Sequence, residues 1–129
     1  MSETIEQRGC PDGHPVMVVE DDADIRECVQ MILEDEGYKV VTARNGAEAE
    51  EELEHIGEPC VVLLDLMMPV MSGWEFLEHL RLQGKLDDGL TVIVVSAVLS
   101  DQPIPVGPVK VMRKPLRAEQ LIETVRQYC

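Results

Sequence analysis

The chain has 129 residues, of which 45 % are hydrophobic but only 3 % aromatic. That length and content predict one compact domain with an aliphatic core and exclude a disordered chain. The formal net charge of −14 argues against contact with nucleic acid, a polyanion that needs a basic face, and suits metal cations or basic partners instead.

Residues 1–14 are polar and carry Gly and Pro, so they read as a flexible N-terminal arm ahead of a domain spanning 15–129. The arm lacks the apolar core of a signal peptide. No stretch approaches the roughly 20 apolar residues of a membrane span. A cytoplasmic protein without membrane contact is therefore expected. Val16 to Val19 form a short apolar run that ends on Glu20 and Asp21. Residues 24–36 place Ile25, Cys28, Val29, Ile32 and Leu33 on one helical face. Asp24 with Glu27 resembles a capping box at its start, and Gly37 suits its stop. "YKVVTA", 38–43, reads as a strand. Asn45 and Glu48 offer a second capping box, before an acidic helix with Ala49, Leu53 and Ile56 inward. A strand at 60–64 carries the apolar run Val61 to Leu64 and delivers Asp65 at its end. Ser72 and Glu75 offer a third box, before a helix carrying Trp74, Leu77 and Leu80. Residues 90–97 and 109–114 read as strands, and 117–128 as a closing helix with Leu121, Ile122 and Val125 inward.

Strands that alternate with helices predict an α/β fold, a parallel sheet covered on both faces. For five strands the open, doubly wound order 2-1-3-4-5 is favoured, with ligands bound beyond the C-terminal strand ends. In that order the first and third strands are neighbours, so Glu20, Asp21 and Asp65 gather at one edge. The fourth strand brings the Ser96 hydroxyl there, and the fifth brings Lys114. Three close carboxylates repel one another. A Mg²⁺ ion suits them, because it prefers oxygen ligands and keeps room for phosphate. Asp65 is then a candidate nucleophile, since aspartate can form an acyl phosphate. Taken singly, Asp65 could be a cap, Glu20 and Asp21 mere charge at a helix start, and Lys114 a solvated lysine; their convergence favours chemistry. Cys10, Cys28, Cys60 and Cys129 fit neither a disulfide framework nor a zinc pattern and read as reduced, structural thiols. His14, His55 and His79 show no ligand spacing and read as surface residues.

The stretches "VVEDD", "LLDLMMPVMSG", "VVSA" and "KPL" occur in an order that resembles the response-regulator receiver domain of two-component signalling, over roughly residues 15–128. The resemblance implies a flavodoxin-like receiver fold with Asp65 as phosphoacceptor. It implies Asp21 as a direct Mg²⁺ ligand together with Asp65, Glu20 acting through a metal-bound water, and the backbone carbonyl of Met67 as the third protein ligand. Ser96 and Lys114 should contact the phosphoryl group, and the Lys114–Pro115 bond is commonly cis in the family. The implied partners are a histidine kinase or phosphotransfer protein and an unidentified downstream protein. The chain would be a switch that catalyses only its own phosphoryl transfer and dephosphorylation.

Three other functions compete. A phosphate-independent interaction module on this fold is one. An aspartyl phosphohydrolase is a second, but dehalogenase-type enzymes want a second aspartate where this chain has Met67. A flavin module is a third, but its phosphate loop would be rich in Gly, Ser or Thr rather than Glu20-Asp21-Asp22. The chain also departs from the family. Pro103, Pro105, Gly107 and Pro108 disfavour a regular helix between the fourth and fifth strands, since an interior proline costs about 3 kcal/mol. The fourth helix of the family should thus be degenerate or missing. Val111 stands where the family usually has an aromatic ring. Output could then use Lys110, Arg113 and Arg117, or another face. Met67 and Val98 are apolar at the two positions that flank the path of attacking water in the family, which predicts slow self-dephosphorylation.

Overall fold

Five short strands form one parallel sheet in the order β2-β1-β3-β4-β5, in a computed structural model that describes residues 13–56, 59, 61–85, 90–96 and 110–128. In chain order the elements are β1 (Val16–Val19), α1 (Ala23–Asp35), β2 (Val40–Ala43), α2 (Gly46–Ile56), β3 (Val61–Asp65), α3 (Gly73–Leu82), β4 (Val92–Ser96), β5 (Lys110–Arg113) and α4 (Ala118–Tyr128). The expected order and parallel sense are present. The expected degenerate helix between β4 and β5 lies outside the described residues, as do most of the N-terminal arm, Val98, Cys10, Cys60 and Cys129.

The three central strands, β1, β3 and β4, are buried at every residue. Alternate residues serve opposite faces. Met17, Val19, Val62, Leu64, Val92 and Val94 join Ala49, Leu53, Phe76, Leu77 and Leu80 in one aliphatic core. Val16, Val18, Val61, Leu63, Ile93 and Val95 join Val29, Leu33, Leu121 and Val125 in the other. Continuous apolar runs were therefore the correct signature of strands covered twice.

The helix starts show how local chemistry sets the connections. The cap of α1 is Asp22, not the expected Asp24–Glu27 box: the Asp22 carboxylate accepts from the amides of Asp24 and Ile25 at 2.9 and 3.2 Å. The chain needs that early turn because Glu20 is still tied to the sheet, its N–H donating to Ala43 O at 3.0 Å. Gly37 follows the end of α1 with φ +91°, a conformation that costs glycine little. Asn45 caps α2 by accepting from the Glu48 amide at 2.9 Å. The reciprocal half of that box is absent, because the Glu48 carboxylate instead accepts from the amide and Nε of Arg44. Ser72 and Glu75 make the complete box expected at α3. Cys28 was expected on the inward face of α1 but is exposed. Only Val29 and Leu33 of that helix are fully covered, because the apolar stripe packs on the sheet along its centre and leaves its flank open.

α2 and α3 are joined in two ways. His79 is at the surface as expected, and its Nδ1 lies 2.5 Å from Glu50 Oε1, a link between the two helices that its sequence neighbours did not indicate. At the other end, the Gly46 amide donates to Met71 O at 3.2 Å. A side chain on Gly46 would sit 2.8 Å from the Met71 side chain, so the start of α2 rests directly on the loop that follows β3.

That loop contains a strained residue. Val70 has φ +68° and is 81 % exposed. A β-branched residue in the left-handed region is a genuine outlier, and the cost for an L-residue is about 1–2 kcal/mol. Asparagine tolerates this region much better. Val70→Asn should therefore raise stability by about 1 kcal/mol, or roughly 4 °C in melting temperature. Thermal unfolding followed by circular dichroism checks it; a lower melting temperature would show that Val70 earns its conformation through packing.

Candidate functional site

Strand register brings the site together. Val19 pairs with Leu64, so Glu20 and Asp65, each one residue further on, stand side by side. Asp65 pairs with Val95, one residue before Ser96. Ser96 pairs with Arg113, one residue before Lys114. The Lys114 amide donates to Ser96 O at 3.0 Å, which extends the ladder to the lysine. Every residue proposed from the sequence for this edge thus arrives there, and none is displaced.

Glu20, Asp21 and Asp65 each present a carboxylate oxygen, and the three oxygens lie within 4.8 Å of one another. Glu20 and Asp65 are each only 4 % exposed, and Ser96 is fully buried; Asp21 is exposed. The Lys114 ammonium lies between two of the acids, 2.6 Å from Glu20 Oε1 and 3.5 Å from Asp65 Oδ2. Backbone donors complete the shell. The Asp22 amide reaches Glu20 Oε2 and the Met67 amide reaches Asp65 Oδ1, both at 3.2 Å. Met67 itself is 55 % exposed at the rim.

Gly73 allows this packing. Its N–H donates to Leu66 O at 2.9 Å. A Cβ there would lie 2.4 Å from Asp65 O and 2.6 Å from Leu66 Cα. Backbone cannot yield that distance, so any side chain at position 73 must push α3 away from the phosphoacceptor candidate. The Lys114–Pro115 bond is cis.

The electrostatics follow from burial. Desolvation first, and the neighbouring Glu20 carboxylate second, push the Asp65 carboxyl up from 3.8 to about 7, against the opposing pulls of Lys114 and the Met67 amide. Burial of Lys114 disfavours its charge, but its bonds to Glu20 and Asp65 outweigh that and raise it above the ordinary lysine value. One ammonium thus faces a cluster with up to three negative charges. The donor set is all carboxylate oxygen, which fits a hard divalent cation such as Mg²⁺ and not a thiophilic one.

One residue escaped sequence reasoning. Arg26 Nη1 donates to Glu20 O at 3.0 Å and to Asp21 O at 3.4 Å. A basic residue one turn into a helix that opens with acids was the available signal.

The chain matches the family described as "Response regulator receiver domain" over residues 16–126. It is 35 % identical over 118 residues to the uncharacterized transcriptional regulatory protein YkoG of Bacillus subtilis, covering 88 % of this chain and 50 % of that one. It spans about half the length of several of the curated relatives it matches. A CheY-like receiver domain protein from Methanospirillum hungatei superposes with a TM-score of 0.79 at 32 % identity, covering 88 % of this chain and 92 % of that one. The response regulator TrrA of Thermotoga maritima, solved in complex with Mg²⁺ and BeF, superposes with a TM-score of 0.78 at 28 % identity, covering 90 % and 99 %.

The raised Asp65 value carries a sign for stability. Its folded carboxyl holds a proton that the unfolded chain releases near 3.8. The stabilising contribution is therefore complete below about 3.8 and is lost as pH rises through about 7. In metal-free buffer, denaturant unfolding of the wild type should lose stability relative to Asp65→Asn across that window. Parallel pH profiles for the two proteins would contradict the raised value.

Proposed function

Because the chain belongs to the response regulator receiver family, we propose that it is a phosphorylation switch of two-component signalling, with residues 15–129 as the receiver and Asp65 as phosphoacceptor. The observation that carries this reading is the placement of Asp65. It is buried at the end of β3, within 4.8 Å of the Glu20 and Asp21 carboxylates and 3.5 Å from Lys114.

The donor is a phosphohistidine on a histidine kinase or phosphotransfer protein. An Asp65 carboxylate oxygen attacks phosphorus, the P–N bond to imidazole breaks, and the nitrogen keeps the electron pair. When bound, Mg²⁺ would supply positive charge against the transferring oxygens and favour the ionised form of Asp65. Asp21 and Asp65 would hold the metal directly, Glu20 would hold it through water, and the Met67 carbonyl would add a neutral ligand. Lys114 leaves its partner Glu20 for a phosphoryl oxygen, and Ser96 offers its hydroxyl to another. The chain catalyses no reaction beyond its own phosphorylation and dephosphorylation, and its product is a changed affinity for a downstream protein.

TrrA's complex with Mg²⁺ and BeF supports the metal assignment, as does the all-oxygen donor set. The formal charge of −14 supports a domain that reads proteins rather than nucleic acid. Among the described residues no helix is long and apolar enough to cross a membrane; work in the cytoplasm is part of the same proposal.

Incubation with Mg²⁺ and a small phosphodonor should add one phosphoryl mass to the wild type and none to Asp65→Asn. Equal labelling of the mutant would remove Asp65 from the role. No labelling of the wild type, even by kinases, would favour a phosphate-independent interaction module.

Lifetime offers a separate test. Met67 is apolar and exposed beside Asp65, so it cannot hydrogen-bond a water into line for attack, and such positioning dominates hydrolysis. Loss of phosphate should be slow in the wild type and several-fold faster in Met67→Asn. An unchanged rate in the mutant would show that water reaches phosphorus by another path.

A further inference from the structure

Resting on the metal reading above, we infer that Arg26 is the positioning residue of the acidic loop: its guanidinium orients the Glu20 and Asp21 peptides so that Asp21 faces the metal. Arg26 lies in α1, one turn beyond the loop, and is partly buried. One nitrogen, Nη1, donates to Glu20 O at 3.0 Å and Asp21 O at 3.4 Å. These are the carbonyls of two consecutive residues that both contribute carboxylates to the cluster.

The two acids need this help unequally. The Glu20 side chain is already held by Lys114 and by the Asp22 amide. The Asp21 side chain has no hydrogen bond or ion pair among the described residues, and it is exposed. Only its backbone sets its direction. The loop's backbone is fixed at its start by Glu20 N–H on Ala43 O and at its end by Arg26 N–H on Asp22 O. Between those points Arg26 Nη1 grips both intervening carbonyls. Rotation of either peptide would break a charge-assisted bond and swing Asp21 away. Such bonds are about twice as strong as neutral ones.

The positive charge of Arg26 makes the role testable by sign. A cation beside the cluster repels Mg²⁺. If Arg26 acted through charge alone, Arg26→Gln should tighten Mg²⁺ binding and Arg26→Lys should leave it unchanged. If Arg26 positions the loop, both variants should weaken binding. Lysine keeps the charge, but its ammonium ends short of where Nη1 sits and it lacks the planar fork. Residues that orient metal ligands typically change metal affinity by about 10–100-fold.

The experiment is calorimetric titration of Mg²⁺ into the wild type and both variants at fixed ionic strength, with melting curves to verify folding. The expected result is a dissociation constant raised about tenfold in Arg26→Gln and at least several-fold in Arg26→Lys. The Mg²⁺ concentration that half-saturates labelling by a small phosphodonor should shift by the same factors, with the plateau rate retained. Should Arg26→Gln not fold, Arg26→Lys decides alone: weaker binding supports positioning, and unchanged binding overturns it. Tighter binding by Arg26→Gln also overturns it. Absence of Mg²⁺ binding by the wild type overturns the metal reading itself. Binding without labelling leaves the Arg26 inference standing and removes only the phosphoacceptor role.

Discussion

Repulsion among three carboxylates at one sheet edge is the constraint around which the molecule is arranged. The Glu20, Asp21 and Asp65 oxygens lie within 4.8 Å of one another, two of the residues are buried, and a single ammonium, Lys114, stands between Glu20 and Asp65. A protein optimised for stability alone would replace such a cluster with apolar side chains, since buried charge is costly even when paired. The surrounding structure carries that cost through aliphatic cores on both faces of the sheet. Burial of Glu20 and Asp65 keeps water from screening those two carboxylates from each other.

Much of this was legible in the sequence because parallel strands covered on both faces leave an unambiguous mark. Val16 to Val19, Val61 to Leu64 and Val92 to Val95 are unbroken apolar runs, and the polar residue after each lies at the same end of the sheet. The order 2-1-3-4-5, favoured for five strands in a doubly wound sheet, is the one present. The start of the edge strand β2 was less clear. "YKVVTA" reads as one strand, yet Tyr38 is buried through the turn after α1, its amide on Leu33 O, and β2 begins only at Val40.

What was not legible depends on where side chains reach. Pattern alone could not separate Asp22 from Asp24 as the cap, because both precede the same apolar stripe; the hydrogen bond from Glu20 N to Ala43 O decides where the chain turns. Glu48 looked like half of a capping box, but its carboxylate is held instead by both the backbone amide and the Nε of Arg44, one residue before the cap. His79 and Glu50 are 29 residues apart in sequence and meet only because α2 and α3 pack side by side. Arg26 was overlooked for a related reason: its partners are main-chain carbonyls, which no residue type announces.

The seating of Gly46 against Met71 has a mechanical consequence. Met71 lies in the loop that leaves Asp65; its carbonyl holds the first amide of α2, and its side chain lies 2.8 Å from where a Cβ on Gly46 would sit. The two segments are therefore in direct contact. A loop that shifts around a modified Asp65 must carry the first turn of α2 with it or break the contact. That helix bears Glu48, Glu50, Glu51, Glu52 and Glu54, so any displacement of its first turn would move a dense negative face.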